Sequence, residues 1–184
     1  MNDRHAAALI LTVSLGACHS GSTVTATNAT TSEVAAKVDA AGAEVTIAPG
    51  RWEATAATEM KMPGLSPAQQ AQVASSIPRK QTMISCVMPE QVKQHRALFT
   101  GNKELDKSCK YDHFTMGGGK LDAAMSCAMG GAQSAMTMKG SYGADRYAMT
   151  MTMAAKGAGP MAAMNTKVTI DAKRVGACRG DEKG

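Results

Sequence analysis

Four methionines have the spacing to bring four sulfur atoms together. Met136 and Met138 alternate in one segment, and Met149 and Met151 alternate in the next. Thioether sulfur is a soft ligand that suits Cu(I) or Ag(I). If a two-residue type II′ turn begins at Gly143, the pairs across the hairpin are Met138 with Met149 and Met136 with Met151. Copper binding by these four sulfurs is therefore one hypothesis.

Packing explains the same methionines without a metal. The chain has 15 methionines but only 3% aromatic residues, so its core must be built from Met and small aliphatic side chains. Methionine fills irregular gaps well. Copper sites also commonly recruit His or Cys, and neither lies near this hairpin in the sequence. We therefore expect no cofactor, with copper as the alternative. A further alternative is a Met- and Ala-lined pocket for an acyl chain or another apolar ligand.

The cysteines predict disulfides. Apart from Cys18, the chain has four cysteines, an even number that is typical of exported domains. They lack the CxxC spacing of redox motifs and zinc sites. The four cysteines can pair in three ways, and we favour one of them. The favoured pairs are Cys86–Cys109 and Cys127–Cys178, and the rival is a Cys109–Cys127 bridge across the Gly117-Gly118-Gly119 loop.

No catalytic motif is present, so we predict that the protein is not an enzyme. The sequence has no HExxH, GxSxG or phosphate-loop pattern. His95 has helical spacing from Val92 and Phe99, which favours packing. His113 follows Asp112, but neighbouring strand residues point to opposite faces, so these two make a poor dyad.

Residues 1–17 are typical of a signal peptide. Arg4 precedes an apolar run of ten residues, Ala6 to Leu15, which is too short to span a bilayer as a helix. The sequence Leu15-Gly16-Ala17-Cys18 resembles the lipobox of bacterial lipoproteins. That resemblance implies that Cys18 carries acyl chains such as palmitate and anchors the protein to the membrane. His19 in place of Asp implies the outer membrane, with the domain facing the periplasm.

The rest of the chain divides into three parts. Residues 18–46, rich in Ser, Thr and Ala, predict a flexible tether after the lipidated cysteine, although a short helix from Glu33 to Ala41 is an alternative. We predict that residues 47–180 form the folded domain and that residues 181–184 form a tail.

The folded domain is predicted to be mainly β. Its strands alternate apolar and polar residues, as in "RWEATAATEMKM" and "KLDAAMSCAM", which indicates an antiparallel sheet with one wet face. Gly117–Gly119 predicts a hairpin loop. Two short helices interrupt the strands, one capped by Ser66 with Pro67 at its first position and one from Pro89 to near Phe99. The expected fold is a single curved antiparallel sheet or half-barrel with one or two short helices, stapled by disulfides.

The motifs of this domain resemble the bacterial domain-of-unknown-function family 3617, which occurs in exported proteins. The matching residues are Pro49-Gly50-Arg51-Trp52-Glu53, Cys86 followed by Pro89-Glu90, Cys109, Cys127 and the closing Val175-Gly176-Ala177-Cys178. The resemblance covers residues 48 to 178. It implies an exported β-domain and no particular reaction.

Charge excludes one class of partner. The net charge of +5 is spread along the chain, without the basic stripe or aromatic platforms of nucleic-acid-binding proteins. We therefore expect an envelope lipoprotein that acts as a non-enzymatic binding or structural module. Its partner is the membrane, through the lipid, together with an apolar ligand or an envelope protein. The sequence leaves the oligomeric state open.

Overall fold

The computed structural model describes residues 22–42, 47–93, 102–129, 131–157 and 163–182. The strands are β1 (Val24–Ala29), β2 (Gly50–Lys61), β3 (Lys80–Val87), β4 (Cys109–Gly117), β5 (Lys120–Met129), β6 (Ala132–Tyr142), β7 (Arg146–Lys156) and β8 (Ala163–Gly176). The helices are α1 (Thr31–Ala40), α2 (Pro67–Ser76), α3 (Pro89–Lys93) and α4 (Lys103–Asp106).

The eight strands form one open antiparallel sheet in the order β1-β4-β5-β6-β7-β8-β2-β3. This confirms the predicted fold class of a mainly β domain built on a single antiparallel sheet with short helices. The order differs from the chain order because β8 returns to pair with β2. As a result, β3 lies at one edge of the sheet and β1 at the other.

The sheet has two chemically different faces. We call the face that contacts α1 the inner face, and it carries residues such as Trp52, Leu121 and Ile170. We call the opposite face, which carries most of the Lys, Asp and Thr residues of the strands, the polar face. This separation follows from the alternation in the sequence, because successive strand residues point to opposite sides.

Two hydrophobic clusters close parts of the inner face. The larger one, which we call the closed end, packs α1 against β1, β4 and β5, with Phe114 1% and Met116 0% exposed. The smaller cluster surrounds Trp52, whose ring lies 5.6 Å from that of Tyr147 and whose Nε1 donates to the Ala48 carbonyl at 3.0 Å. Ile47 packs against both clusters and links them.

The tether predicted for residues 18–46 is wrong over much of its length, because β1 and α1 fold there. A capping box begins α1, in which the Thr30 hydroxyl accepts from the Glu33 amide and the Glu33 carboxylate accepts from the Thr30 amide. The Asp106 carboxylate then accepts from the Thr31 hydroxyl at 2.6 Å and the Ser32 amide at 3.1 Å. Strand β1 was not predicted because its sequence, VTATNA, is mostly Thr and Ala and its alternation is only weakly apolar. The short helix that was the alternative to the tether is present as α1.

The first predicted hairpin is confirmed and the second is wrong in register. Gly118 and Gly119 have φ of 55° and 71°, the left-handed pair that a two-residue type I′ turn requires, between the paired Gly117 and Lys120. At the second hairpin Tyr142 pairs with Tyr147 and the Gly143 amide donates to the Arg146 carbonyl at 2.9 Å, so the turn is centred on Ala144 and Asp145, one residue later than predicted.

Tertiary hydrogen bonds explain this displaced turn. The Ala144 carbonyl accepts from the Ala48 amide at 2.8 Å, and the Asp145 carbonyl accepts from the Arg174 amide at 2.9 Å. The loop is therefore held by partners that are distant in the sequence, which local turn preferences do not encode.

The prediction of two disulfides is confirmed, but the favoured pairing is wrong. The bonds are Cys86–Cys178 and Cys109–Cys127. Cys109 lies directly opposite Cys127 in the β4–β5 ladder, so the rival bridge is the one that forms. Cys86 cannot reach Cys109 because β3 and β4 lie near opposite edges of the sheet. It meets Cys178 because β8 ends two strands away from it.

The helix predictions hold where the structure describes them. Ser66 caps α2 and Pro67 is its first residue, as predicted. The second predicted helix begins at Pro89. Its later part, which includes His95, lies outside the described residues. The predicted signal peptide, Cys18 and His19 lie outside them as well.

Candidate ligand-binding face

Six methionines of β5, β6 and β7 lie side by side on the inner face. We call this group the methionine face. It consists of Met125, Met136, Met138, Met149, Met151 and Met153. In the strand register, Met125 pairs with Met136 and Met136 pairs with Met153, so three methionines form one row across three strands. Met138 and Met151 pair directly in the next row. The sheet therefore gathers residues that are far apart in the chain into one thioether-rich surface.

The methionine face is half-buried and is not closed like the neighbouring core. All six side chains are partly accessible, whereas Met116 in the closed end is fully buried. The difference follows from the position of α1, which contacts β1 and β4 and leaves the middle of the sheet uncovered among the described residues. Only Met138 and Met149 pack against the closed end.

Gly140 gives the methionine face an uneven surface. It lies opposite Met149, and a Cβ atom at this position would collide with the Met149 sulfur. The Met149 side chain therefore lies over the backbone of Gly140, in space that any larger residue would fill. This leaves Met149 low against the sheet, while the methionines of the two rows described above have other side chains opposite them.

A buried hydroxyl group without a partner adjoins this surface. Thr166 lies on β8 between Met153 and Met60 in the register. Its Oγ1 atom is buried and has no hydrogen-bond partner among the described residues. Leaving a buried hydroxyl unsatisfied costs about 1–3 kcal/mol. The face is therefore apolar, with one unpaired hydroxyl buried at its β8 side.

A cleft adjoins the end of β2 and is lined by residues from both faces of that strand. It has a volume of about 250 Å³ and lies between the end of β2 and the segment from α2 to Arg79. Met60, Ala74 and Ile77 contribute apolar side chains to it. Met60 connects this cleft to Thr166, which it faces across the β2–β8 ladder.

The four predicted metal ligands are on one face but do not pair as predicted. Met138 faces Met151, Met136 faces Met153, and Met149 faces Gly140. The register is shifted by two residues because the turn is centred one residue later than predicted. Among the described residues, no group of three or more His, Cys, Asp or Glu side chains is arranged to hold a metal ion. The methionines therefore have no such group beside them to complete a copper site.

The polar face carries a charge network at its β4–β6 part. His113 Nε2 lies 2.9 Å from Asp122 Oδ1, and Lys139 Nζ lies 3.0 Å from Asp122 Oδ2. The hydrogen bond from His113 and then the one from Lys139 lower the pKa of Asp122. These side chains are about half exposed, so the network is typical of a solvated surface.

The expectation that Asp112 and His113 point to opposite faces is wrong. A β-bulge interrupts the β4–β5 register between Tyr111 and His113. Both side chains therefore reach partners on the polar face, where Asp112 accepts from the Ser126 hydroxyl at 2.7 Å and His113 contacts Asp122. The two residues still do not form a dyad with each other, because each has a different partner.

The predicted tail is partly anchored to the domain. Arg51 Nη1 lies 2.6 Å from Asp181 Oδ1 and 2.8 Å from Glu182 Oε1, and the Glu182 side chain is only 1% exposed. Hydrogen bonds from backbone amides, first that of Arg179, lower the pKa of Glu182 to about 2. Together with the Cys86–Cys178 bond, this contact fixes the end of the chain on the polar face.

None of the described helices is both long enough and apolar enough to cross a bilayer.

The geometry defines a class of protein, a disulfide-linked antiparallel sheet with one half-open methionine face. A family model described as "Protein of unknown function (DUF3617)" matches residues 47–178, and the chain belongs to this family. This confirms the resemblance found in the sequence. Neither the curated proteins nor the solved structures contain a match to the chain.

Proposed function

We propose that this protein is a lipid-anchored protein of the bacterial cell envelope whose methionine face binds an apolar ligand with a polar end, such as a fatty acyl chain. The observation that carries the proposal is the row of half-buried methionines beside the unpartnered Thr166 hydroxyl. Methionine is flexible and polarisable, so it adapts to a linear ligand without a fixed shape. Thr166 donates a hydrogen bond to the ligand's polar end once the side chains around its buried hydroxyl move aside.

Export is supported by two features. The N-terminal sequence has the order of a lipoprotein signal, with Cys18 at the processing position. The domain contains two disulfides, which persist in oxidising compartments outside the cytoplasm. Two or more acyl chains would anchor the protein stably, whereas one chain binds a membrane only marginally.

The anchor is tested by labelling cells with a palmitate analogue. We expect the wild-type chain to be labelled and to sediment with outer membranes, and the Cys18→Ser variant to lose both properties. A label that persists in Cys18→Ser, or unlabelled wild-type protein, would contradict the anchor and leave the ligand proposal to be judged separately.

The ligand is tested by titrating the purified protein with a fluorescent fatty acid. The Met136→Lys/Met153→Lys variant places two charges in the central row, and we expect about tenfold weaker binding or more, equivalent to about 1.4 kcal/mol. The matched control is Thr137→Lys/Thr152→Lys. These residues are also paired on β6 and β7, but they lie on the polar face. The control variant should bind the fatty acid with an affinity within about twofold of that of wild type, since exposed charges on the polar face contribute little.

Thr166→Val separates the polar contact from the apolar one. The change removes the hydroxyl but keeps the side-chain shape. We expect weaker binding of the fatty acid and unchanged binding of the corresponding alkane, which lacks the polar end. We also expect the unliganded variant to be as stable as the wild type or more stable. Absence of fatty-acid binding by wild type, or equal losses in the test and control variants, would refute the proposal. Tight Ag(I) binding without fatty-acid binding would instead favour the soft-metal alternative.

A further inference from the structure

Three of the four exposed large apolar side chains of the described chain lie on the edge strand β3 or directly after it. Met83 is 47% exposed and Ile84 is 39% exposed, one on each face of the sheet, and Met88 just after the strand is 49% exposed. Within the described part of the chain, β3 pairs only with β2. An edge strand with unpaired backbone groups and apolar side chains is a template for pairing with another strand.

The register shows which backbone groups of β3 point outward. The Thr58 amide donates to the Arg79 carbonyl, and residue 79 continues the β2–β3 register directly opposite residue 58. Hydrogen-bonded pairs alternate along an antiparallel ladder, so odd-numbered residues of β3 bond to β2. The outward-facing amides and carbonyls are those of Lys80, Thr82, Ile84 and Cys86.

We propose that β3 pairs antiparallel with β3 of a second copy of this chain, which joins two sheets edge to edge. With the two-fold axis at Met83, all four outward-facing residues find partners. Lys80 pairs with Cys86 of the other copy, and Thr82 pairs with Ile84. On the inner face, Met83 meets Met83 of the other copy and continues the apolar surface across the junction.

Charge favours a second copy over an unrelated strand. Exposed Arg79 and Lys80 lie at the beginning of β3, and exposed Glu90 follows its end. Antiparallel pairing about a two-fold axis brings the basic beginning of each strand to the acidic end of the other, twice per dimer. The strand is thus complementary to itself.

The two edges of the sheet differ in their suitability for pairing. The β2–β3 ladder runs without a shift from Gly50–Val87 to Ala57–Lys80. The opposite edge, β1, has six residues, and Asn28 there has φ of 50° and no partner in the β1–β4 register. A left-handed residue bends the strand and interrupts its outward-facing groups. The regular edge is therefore β3.

Cysteine cross-linking tests this register in the full chain within its own envelope. Residues 83 of the two copies would form a non-hydrogen-bonded pair, whose Cα atoms lie about 4.5 Å apart. Met83→Cys should therefore give a disulfide-linked dimer of twice the chain mass in at least about half of the molecules. Gln81→Cys is the matched control on the same face, because its two copies would lie about 14 Å apart along the strands. It should give background only, whereas Gln81→Cys combined with Ser85→Cys should cross-link.

A second measurement does not depend on added cysteines. Sedimentation equilibrium of the detergent-solubilised chain should show a dimer that Ile84→Pro shifts to monomer, since proline removes an outward-facing amide and leaves the β2 ladder intact. Ile84→Thr retains the amide and should remain dimeric, and circular dichroism checks that each variant is folded. The proposal would be overturned by a monomeric wild type or by a dimer that survives Ile84→Pro. Equal cross-linking of Met83→Cys and Gln81→Cys, or a cross-link to a different protein, would overturn it as well.

Discussion

Two regions of the inner face use the same residue type and reach different states of burial. Met116 in the closed end is fully buried, and Met153 on the methionine face is partly accessible. Both lie on strands that are paired on both sides, and both alternate with polar neighbours. They differ in what lies above them, since β1 and α1 pack at the closed end. The comparison teaches that a methionine-rich strand forms a core or a binding surface according to its cover, and not according to its own sequence.

The largest expected effect concerns the two disulfides, of which Cys109–Cys127 joins β4 and β5 and Cys86–Cys178 joins the edge strand β3 to the segment after β8. Removing Cys86–Cys178 with alanines at both positions should lower the free energy of unfolding by about 4.5 kcal/mol, and removing Cys109–Cys127 by about 3 kcal/mol. The difference arises because the bonds span 92 and 18 residues and longer loops restrict the unfolded chain more. Denaturant unfolding of the two double variants measures both values. Equal losses would show that loop length does not control their contributions.

The second prediction tests directly whether the closed end and the methionine face differ in burial. Phe114→Ala in the closed end should cost about 3–5 kcal/mol, because it leaves a cavity in a fully buried site. Met153→Ala should cost less than about 1.5 kcal/mol, since the side chain is already partly in water. Urea titrations with a common m-value give the two numbers. A similar cost at both positions would mean that the methionine face is a closed core, which would also count against ligand binding there.

The third prediction concerns α1, the helix that covers the closed end. Thr30→Ala removes the side chain that caps α1 and should destabilise the protein by about 1 kcal/mol. Ser66→Ala is a matched control, because it removes the same kind of cap from α2, which buries no residue. Hydrogen exchange should show faster opening of β1 in Thr30→Ala and no change there in Ser66→Ala.

The smallest effect is expected on the polar face, where acid should release the chain end. The pKa of Glu182 is about 2 in the folded state, below its ordinary value of 4.5. Its contribution to stability is therefore complete above pH 4.5 and is lost as the pH falls from 4.5 toward 2. The thermal midpoint of wild type should fall more steeply over this range than that of Glu182→Gln. Parallel curves for the two proteins would contradict the coupling, and a carboxyl NMR titration would locate the pKa itself.

Local patterns predicted the parts of the fold that depend on neighbours in the chain. Alternation predicted strands β2 and β5, the glycines predicted the β4–β5 turn, and Ser66-Pro67 predicted the start of α2. The same reasoning failed at β1, whose Thr-Ala alternation is weakly apolar, and at the turn of the methionine hairpin. In both cases the deciding contacts come from distant residues, as with the Ala48 amide at the Ala144 carbonyl.

The candidate site was predicted as a set of residues but not as an arrangement. The sequence placed the methionines of β6 and β7 on one face, and it left open whether that face was filled. It could not show Thr166 beside Met153, or Met125 in the same row, because those neighbours depend on strand order and register.

The amino-acid sequence by itself determined the mainly β class, the apolar and polar faces of the strands, the presence of two disulfides and the family. These follow from side-chain period and residue type, which are local properties. Only the tertiary structure decided which cysteines pair, which methionines are covered and which strand is left at the edge. Those outcomes depend on the return of β8 to β2 and on the position of α1, and such long-range pairings are set by the packing of the whole sheet.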